Sequence, residues 1–167
     1  MADGEIHLVL STEEEIGNLL RDRKMTLGTV ESATGGLISH TITNIPRSSD
    51  YFKGSIISYS NEVKIKVVGV RPETIDEYGA VSAQVVEQMA EGGRKLLGVD
   101  ICIADTGIAG PTGATQDKPI GLFYLSLSSS AGTFSRKHIF SGNREQNKLN
   151  AVIVTLNWLK EYLISLD

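Results

Sequence analysis

Residues 25–36 constrain the chain most, because two periodicities meet there across a very short connection. Residues 25–30 read as a strand, with apolar Leu27 and Val30 beside β-branched Thr26 and Thr29. Downstream, Leu37, Ile38, Ile42 and Ile45 recur at helical spacing, which predicts a helix over 34–44. Glu31-Ser32-Ala33-Thr34-Gly35-Gly36 joins the two. A hydroxyl at such a junction faces unpaired backbone N–H groups and the positive end of a helix dipole. Gly35 and Gly36 let another molecule approach those amides closely. Three roles fit: a phosphate site, a serine nucleophile beside an oxyanion hole, or an ordinary capped helix start, where Ser and Thr are favoured.

The remaining elements follow in order. Ser11 and Thr12 before Glu13, Glu14 and Glu15 form a capping-box signature, predicting a helix over 12–23 with Ile16, Leu19 and Leu20 inward. Residues 1–10 are open between a strand and the approach to that helix. Pro46 ends the 34–44 helix and 47–49 reads as loop. A second strand is expected over 52–60 through Ile56, Ile57 and Tyr59, then a short helix 62–68 capped by Asn61 and stopped by Gly69. Pro72 suits a helix start over 72–78, and Ser82 caps a longer helix 83–97. Gly92 and Gly93 inside it cost on the order of 1 kcal/mol each relative to alanine, so close packing is expected there.

Residues 99–105 read as a central strand, 121–128 and 134–140 as two more around a turn at 129–132, and 144–165 as the last helix. That helix carries Leu149, Val152, Ile153, Leu156, Leu159 and Leu163 as its apolar face. The 107–118 loop, with three glycines and a proline, is long enough to suggest a functional role. This order predicts an α/β chain: a three-layer α/β/α sandwich around a mixed, mostly parallel sheet of five to six strands. One domain over 1–167, with its core at about 12–163, is expected at this length.

Bulk properties narrow the function. A net charge of −4 with scattered basic residues argues against nucleic-acid binding. The single cysteine, Cys102, lies in an apolar run and cannot form an internal disulfide. No apolar run approaches the roughly 20 residues of a membrane span, and the start, with Asp3 and Glu5, lacks a basic signal-peptide region. A cytoplasmic protein is expected.

Two cations stand where helix energetics disfavour them. Lys64 falls in a first helical turn and Arg144 opens the last helix, positions unfavourable by roughly 0.3–1 kcal/mol. The dipole pushes a lysine toward its neutral form, a competent general base. An arginine beside free amides can clamp a phosphate or carboxylate; both could equally point into water. Tyr59, at a strand end, is a candidate for the same rim or a packing residue with a wet tip. Thr106-Gly107 opens the glycine-rich loop and offers further amides. Neither a P-loop nor a dinucleotide fingerprint is present. His7, His40 and His138 lie too far apart for metal spacing, so no metal is expected.

With these residues in view, the chain resembles the CinA C-terminal domain family. The motifs are Glu31-Ser32-Ala33-Thr34-Gly35-Gly36, Ser58-Tyr59-Ser60-Asn61-Glu62-Val63-Lys64, Gly79-Ala80-Val81-Ser82, Thr106-Gly107-Ile108-Ala109-Gly110-Pro111, Lys118-Pro119-Ile120-Gly121 and Ser141-Gly142-Asn143-Arg144. They occur in family order over about 12–163, and a stand-alone form of that domain is expected. The resemblance implies a nicotinamide-nucleotide amidase, hydrolysing the carboxamide of nicotinamide mononucleotide to nicotinate mononucleotide and ammonia. It implies Ser32 as nucleophile and Lys64 as its base, with Tyr59 and Arg144 lining the site. Amides around Thr34, Gly35 and Gly36 would hold the oxyanion, and Asn61, Thr106 and Gly107 would contact substrate. No cofactor is implied; the expected partner is a pyridine mononucleotide, and the expected assembly a homo-oligomer. A non-catalytic nucleotide-binding module and an amidase for another small amide are the alternatives.

Three positions depart from the family pattern. Ala33 stands where cysteine is usual, which leaves Ser32 as nucleophile. Asn143 stands where aspartate is common, removing a possible partner of Arg144. Asp105 stands where an apolar or small residue is usual, and its carboxylate could repel a substrate phosphate or point to the opposite face.

Overall fold

The computed structural model describes residues 10–166. In chain order its elements are α1 (Thr12–Asp22), β1 (Leu27–Glu31), α2 (Leu37–Thr43), a 3-10 turn (Ser48–Asp50), β2 (Phe52–Ile57), α3 (Asn61–Lys66), α4 (Pro72–Tyr78), α5 (Ala83–Leu97), β3 (Ile101–Gly107), β4 (Leu122–Ser129), β5 (Gly132–Ile139) and α6 (Arg144–Ile164). The described strands form one five-stranded sheet in the order β2-β1-β3-β4-β5. β1 runs parallel to β2 and β3, whereas β4 is antiparallel to both β3 and β5. The expected α/β architecture holds, with one correction: the neighbour pairs divide evenly between parallel and antiparallel. Helical crossovers return β2 and β3 in the direction of β1, while the 108–121 loop reverses β4 against β3 and the hairpin after Ser129 reverses β5 against β4.

Residues alternate across β3, so its two faces serve two cores. Ile101 and Ile103 join α1, α2 and α6 through Ile16, Leu20, Ile38, Val152 and Leu159. Cys102 and Ala104 face α5, where Val85, Val86, Met89 and Ala90 are buried. The close packing expected at the paired glycines is present. A Cβ on Gly93 would lie 2.1 Å from Val30 Cγ2, and one on Gly92 would lie 1.8 Å from the Val68 carbonyl oxygen. The first contact seats α5 against the strand that delivers Ser32, and the second seats it against the segment after α3.

Helices 72–78 and 83–97 match their expected bounds. Elsewhere local chemistry shifts the boundaries. α2 starts at Leu37 because residues 32–36 form a separate turn, with Gly35 and Gly36 at φ 61° and 102°. α3 is capped by Ser60 rather than Asn61: Ser60 Oγ accepts the Val63 N–H at 3.2 Å, so Asn61 is the first helical residue. On α6 the buried stripe runs through Val152, Leu156, Leu159 and Leu163, while Leu149 and Ile153 are about half exposed, against the sequence expectation. Expectations for residues 1–9 lie outside the described residues. Among the described residues, no helix is long and apolar enough to cross a membrane.

Candidate active site

β1 ends at Glu31, and its buried carboxylate caps the helix that follows. Glu31 Oε2 accepts the Gly36 and Ile38 N–H groups at 2.9 and 3.0 Å, and Oε1 accepts that of Ser39 at 2.8 Å. A carboxylate placed there answers both the orphan donors and the dipole of the helix start. From β3, Asp105 Oδ1 accepts the Ser32 N–H and Oδ2 the Thr34 N–H, each at 3.1 Å. The Thr34 hydroxyl lies between the two acids, 2.7 Å from Glu31 Oε2 and 2.5 Å from Asp105 Oδ1. Gly35 N–H closes the turn on the Ser32 carbonyl at 3.2 Å.

This network corrects the sequence expectation for Thr34, Gly35 and Gly36. Their amides are already engaged within the protein and none of the three lines the cleft described below. Among the described residues, the amide of the turn without an acceptor is that of Ala33, which does line the cleft. Asp105 is fully buried beneath the turn and does not line the cleft, so it is not placed to repel a phosphate there. Burial pushes its carboxyl up to about 6; the Thr34 hydroxyl opposes this and the neighbouring Glu31 charge adds to it.

Ser32 and Lys64 meet although they come from different elements. Lys64 on α3 is 2% exposed, and its Nζ lies 2.9 Å from Ser32 Oγ. The same nitrogen donates to the Ser58 carbonyl at 2.6 Å and the Tyr59 carbonyl at 3.3 Å. As a neutral amine it has two N–H bonds for the two carbonyls and a lone pair for the serine proton. Burial pulls its pKa below the ordinary lysine value, with the Asp105 charge opposing. Among the described residues no carboxylate lies within ion-pair distance of it.

The pair sits in a cleft of about 300 Å³ whose lining also includes Tyr59, Asn61, Thr106, Gly107 and Arg144. Tyr59 is 64% exposed at the rim, where its hydroxyl accepts from Arg144 Nη2 at 3.3 Å. Arg144 Nη1 donates to the Gly110 carbonyl at 2.8 Å, and no carboxylate among the described residues pairs with the guanidinium. Thr106 spends its hydroxyl on the Ala80 carbonyl at 2.9 Å, tying β3 to the loop before α5. Gly107 is demanded by packing, since a Cβ there would lie 2.6 Å from the Phe123 ring.

Sequence reasoning passed over three contributors. Glu31 and Asp105 form the frame of the Ser32 turn, and Asp105 was legible only as a misplaced charge. Asn147, fully buried on α6, donates to the carbonyls of Ala109 and Gly142 and accepts the Gly142 N–H. It thereby locks the glycine-rich loop to the start of the helix that carries Arg144. Its spacing four residues after the Asn143 cap was the one local signal.

A larger concavity, about 660 Å³, lies along α4 and α5. Its lining is dominated by Glu73, Glu77, Glu87 and Glu91 and holds no serine–lysine pair, so size does not outweigh chemistry here. No group of three His, Cys, Asp or Glu side chains with metal-holding geometry occurs among the described residues.

Comparison with known proteins agrees with the fold. Residues 9–163 match the family described as the CinA C-terminal domain. A CinA-like protein from Sulfurihydrogenibium sp. is 46% identical over 156 residues, covering 93% of this chain and 39% of that protein. The chain thus spans about two fifths of the length of the curated relatives it matches. The crystal structure of competence damage-inducible protein A from Klebsiella pneumoniae superposes with a TM-score of 0.89 at 31% identity, covering 92% of this chain and 95% of that one. A competence/damage-inducible protein from Agrobacterium tumefaciens gives 0.82 at 31% identity, covering 92% and 97%.

Proposed function

The chain belongs to the CinA C-terminal domain family, and from that premise we propose that it hydrolyses the carboxamide of nicotinamide mononucleotide to nicotinate mononucleotide and ammonia. The observation that carries this reading is the 2.9 Å approach of Lys64 Nζ to Ser32 Oγ inside a cleft edged by an arginine without a carboxylate partner among the described residues.

Ser32 Oγ attacks the amide carbon while its proton passes to the Lys64 lone pair. General-base assistance of this kind contributes roughly 10²–10⁴-fold. The developing oxyanion is held by the Ala33 N–H, the donor the turn leaves unused; one such donor is worth about 10²–10³ in rate. The C–N bond breaks as Lys64 returns the proton to the departing ammonia, leaving an ester on Ser32. Water then attacks that ester, Lys64 takes its proton, and Ser32 leaves with it. Arg144 holds the substrate phosphate, which suits a guanidinium better than a point charge. Tyr59 orients the nucleotide at the rim, and Asn61, Thr106 and Gly107 contact it from the walls. Residues of the chain and water supply every proton the reaction needs. On the same reading the working form is a homo-oligomer in the cytoplasm, which sedimentation velocity tests for the assembly.

The direct assay is ammonia release from nicotinamide mononucleotide by the wild type and Ser32→Ala. Release that survives the substitution overturns the nucleophile assignment. Turnover of other amides but not this one would move the substrate elsewhere. Thermal stabilisation by the nucleotide with no turnover of any amide would favour a binding module.

A further inference from the structure

Beneath the nucleophile lies a buried acid pair that the hydrolysis does not consume. Glu31 and Asp105 are both fully buried, and Thr34 Oγ1 stands 2.7 Å from one and 2.5 Å from the other. A threonine hydroxyl has one proton to donate. With both acids ionised, one of these two contacts would set lone pair against lone pair between fully buried groups. The pair therefore needs one more proton.

The other partners decide where that proton sits. Glu31 accepts three amides at the start of α2, so both of its oxygens are already filled by donors. Asp105 accepts only the Ser32 and Thr34 amides, and a neutral carboxyl retains lone pairs for both. The titratable groups facing Asp105 are Glu31 from β1 and Lys64 from α3; its register partner on β4 is Leu125. We propose that Asp105 is a positioning residue for Ser32 that works as the neutral acid, donating to Thr34 Oγ1 while Thr34 donates to Glu31.

Two consequences follow for the site. The relay pins the Ser32 and Thr34 amides, which keeps Ser32 Oγ within reach of Lys64 Nζ. While it keeps its proton, Asp105 also withholds the negative charge that would favour a protonated lysine; above about 6 it supplies that charge. The role assigned to Asp105 rests on reading Ser32 and Lys64 as nucleophile and base. The proton count rests on the Thr34 contacts alone.

The test uses the full chain and needs no substrate. Carbon-13 NMR of aspartate carboxyls, assigned against Asp105→Asn or by correlation to the backbone if that variant does not fold, should show Asp105 holding its proton well above the range of the exposed aspartates. Titration with those aspartates overturns the proposal. Labelling of Ser32 by a fluorophosphonate probe reports the positioning. Thr34→Val should slow it by about tenfold, the loss of one hydrogen bond's worth of alignment, and Thr34→Ser should restore it. Equal rates in all three proteins, each checked for an unchanged melting transition, refute the relay. If both signals hold while nicotinamide mononucleotide is not turned over, the substrate is wrong and the relay stands. If turnover holds while Asp105 titrates normally, the relay alone falls.

Discussion

Raising the pH through the carboxylate range should weaken this fold at one identifiable group. Asp105 has an ordinary aspartate value of 3.8 when exposed in the unfolded chain and is pushed up to about 6 in the folded one, chiefly by burial. Between those limits the native state holds a proton that the unfolded state has released. Stability from this group is therefore fully present below about pH 4 and is lost as the pH climbs through about 6. Each pH unit in that window contributes about 1.4 kcal/mol, so the loss is on the order of 3 kcal/mol. Asp105→Asn abolishes the titration but leaves one of the Ser32 and Thr34 amides without an acceptor, a pH-independent cost of about 1–3 kcal/mol. The variant should thus be clearly less stable than wild type at pH 4 and close to it at pH 7. Urea unfolding followed by circular dichroism at pH 4, 5, 6 and 7 gives the difference between the two proteins, in which titrating groups that do not face Asp105 cancel. A difference that stays constant with pH, or moves in favour of the wild type as pH rises, refutes the argument; the second result is that of a carboxylate stabilised in its charged form.

Other perturbations probe the rest of the site. Lys64→Met should cut ammonia release by about 10²–10⁴-fold with the fold retained. Because the folded-state pKa of Lys64 is lowered, the unfolded chain binds the extra proton just below the ordinary value of 10.5, and stability from this group rises as the pH approaches that value; wild type should gain on Lys64→Met as the pH is raised toward 10.5 in the same unfolding assay. Arg144→Ala should raise KM for the mononucleotide about tenfold or more, with little change for the riboside lacking the phosphate; an equal rise for both would exclude phosphate binding by Arg144. Gly93→Ala should destabilise by about 1–3 kcal/mol in urea, since its methyl would overlap Val30 and Cys102.

Much of the architecture was legible because its signals are local. Pro72 at a helix start and Ser82 before Ala83 mark bounds to the residue, through ring geometry and a cap acting within one turn. Gly92 and Gly93 announced a close approach, though only the packed helix shows that Val68 and Val30 are what they approach. The cap of α3 was misassigned by one residue because Ser60 and Asn61 are both good caps, and only backbone direction selects between them. Leu149 and Ile153 fit a helical stripe in the sequence but fall just outside the buried arc of α6.

Sequence alone determined the order of elements, the βα junction carrying Ser32 and, through the motif order of a known family, the partnership of Ser32 with Lys64. It did not determine which amides of that junction remain available to a ligand, nor how deeply the lysine is buried. Those were settled by Asp105, which reaches Ser32 from 73 residues away, and by the contact of Lys64 with a hydroxyl 32 residues distant. The physical reason is that a hydrogen bond depends on separation in space alone. Residues that share no turn leave no periodicity in the chain to show which donors have already been used.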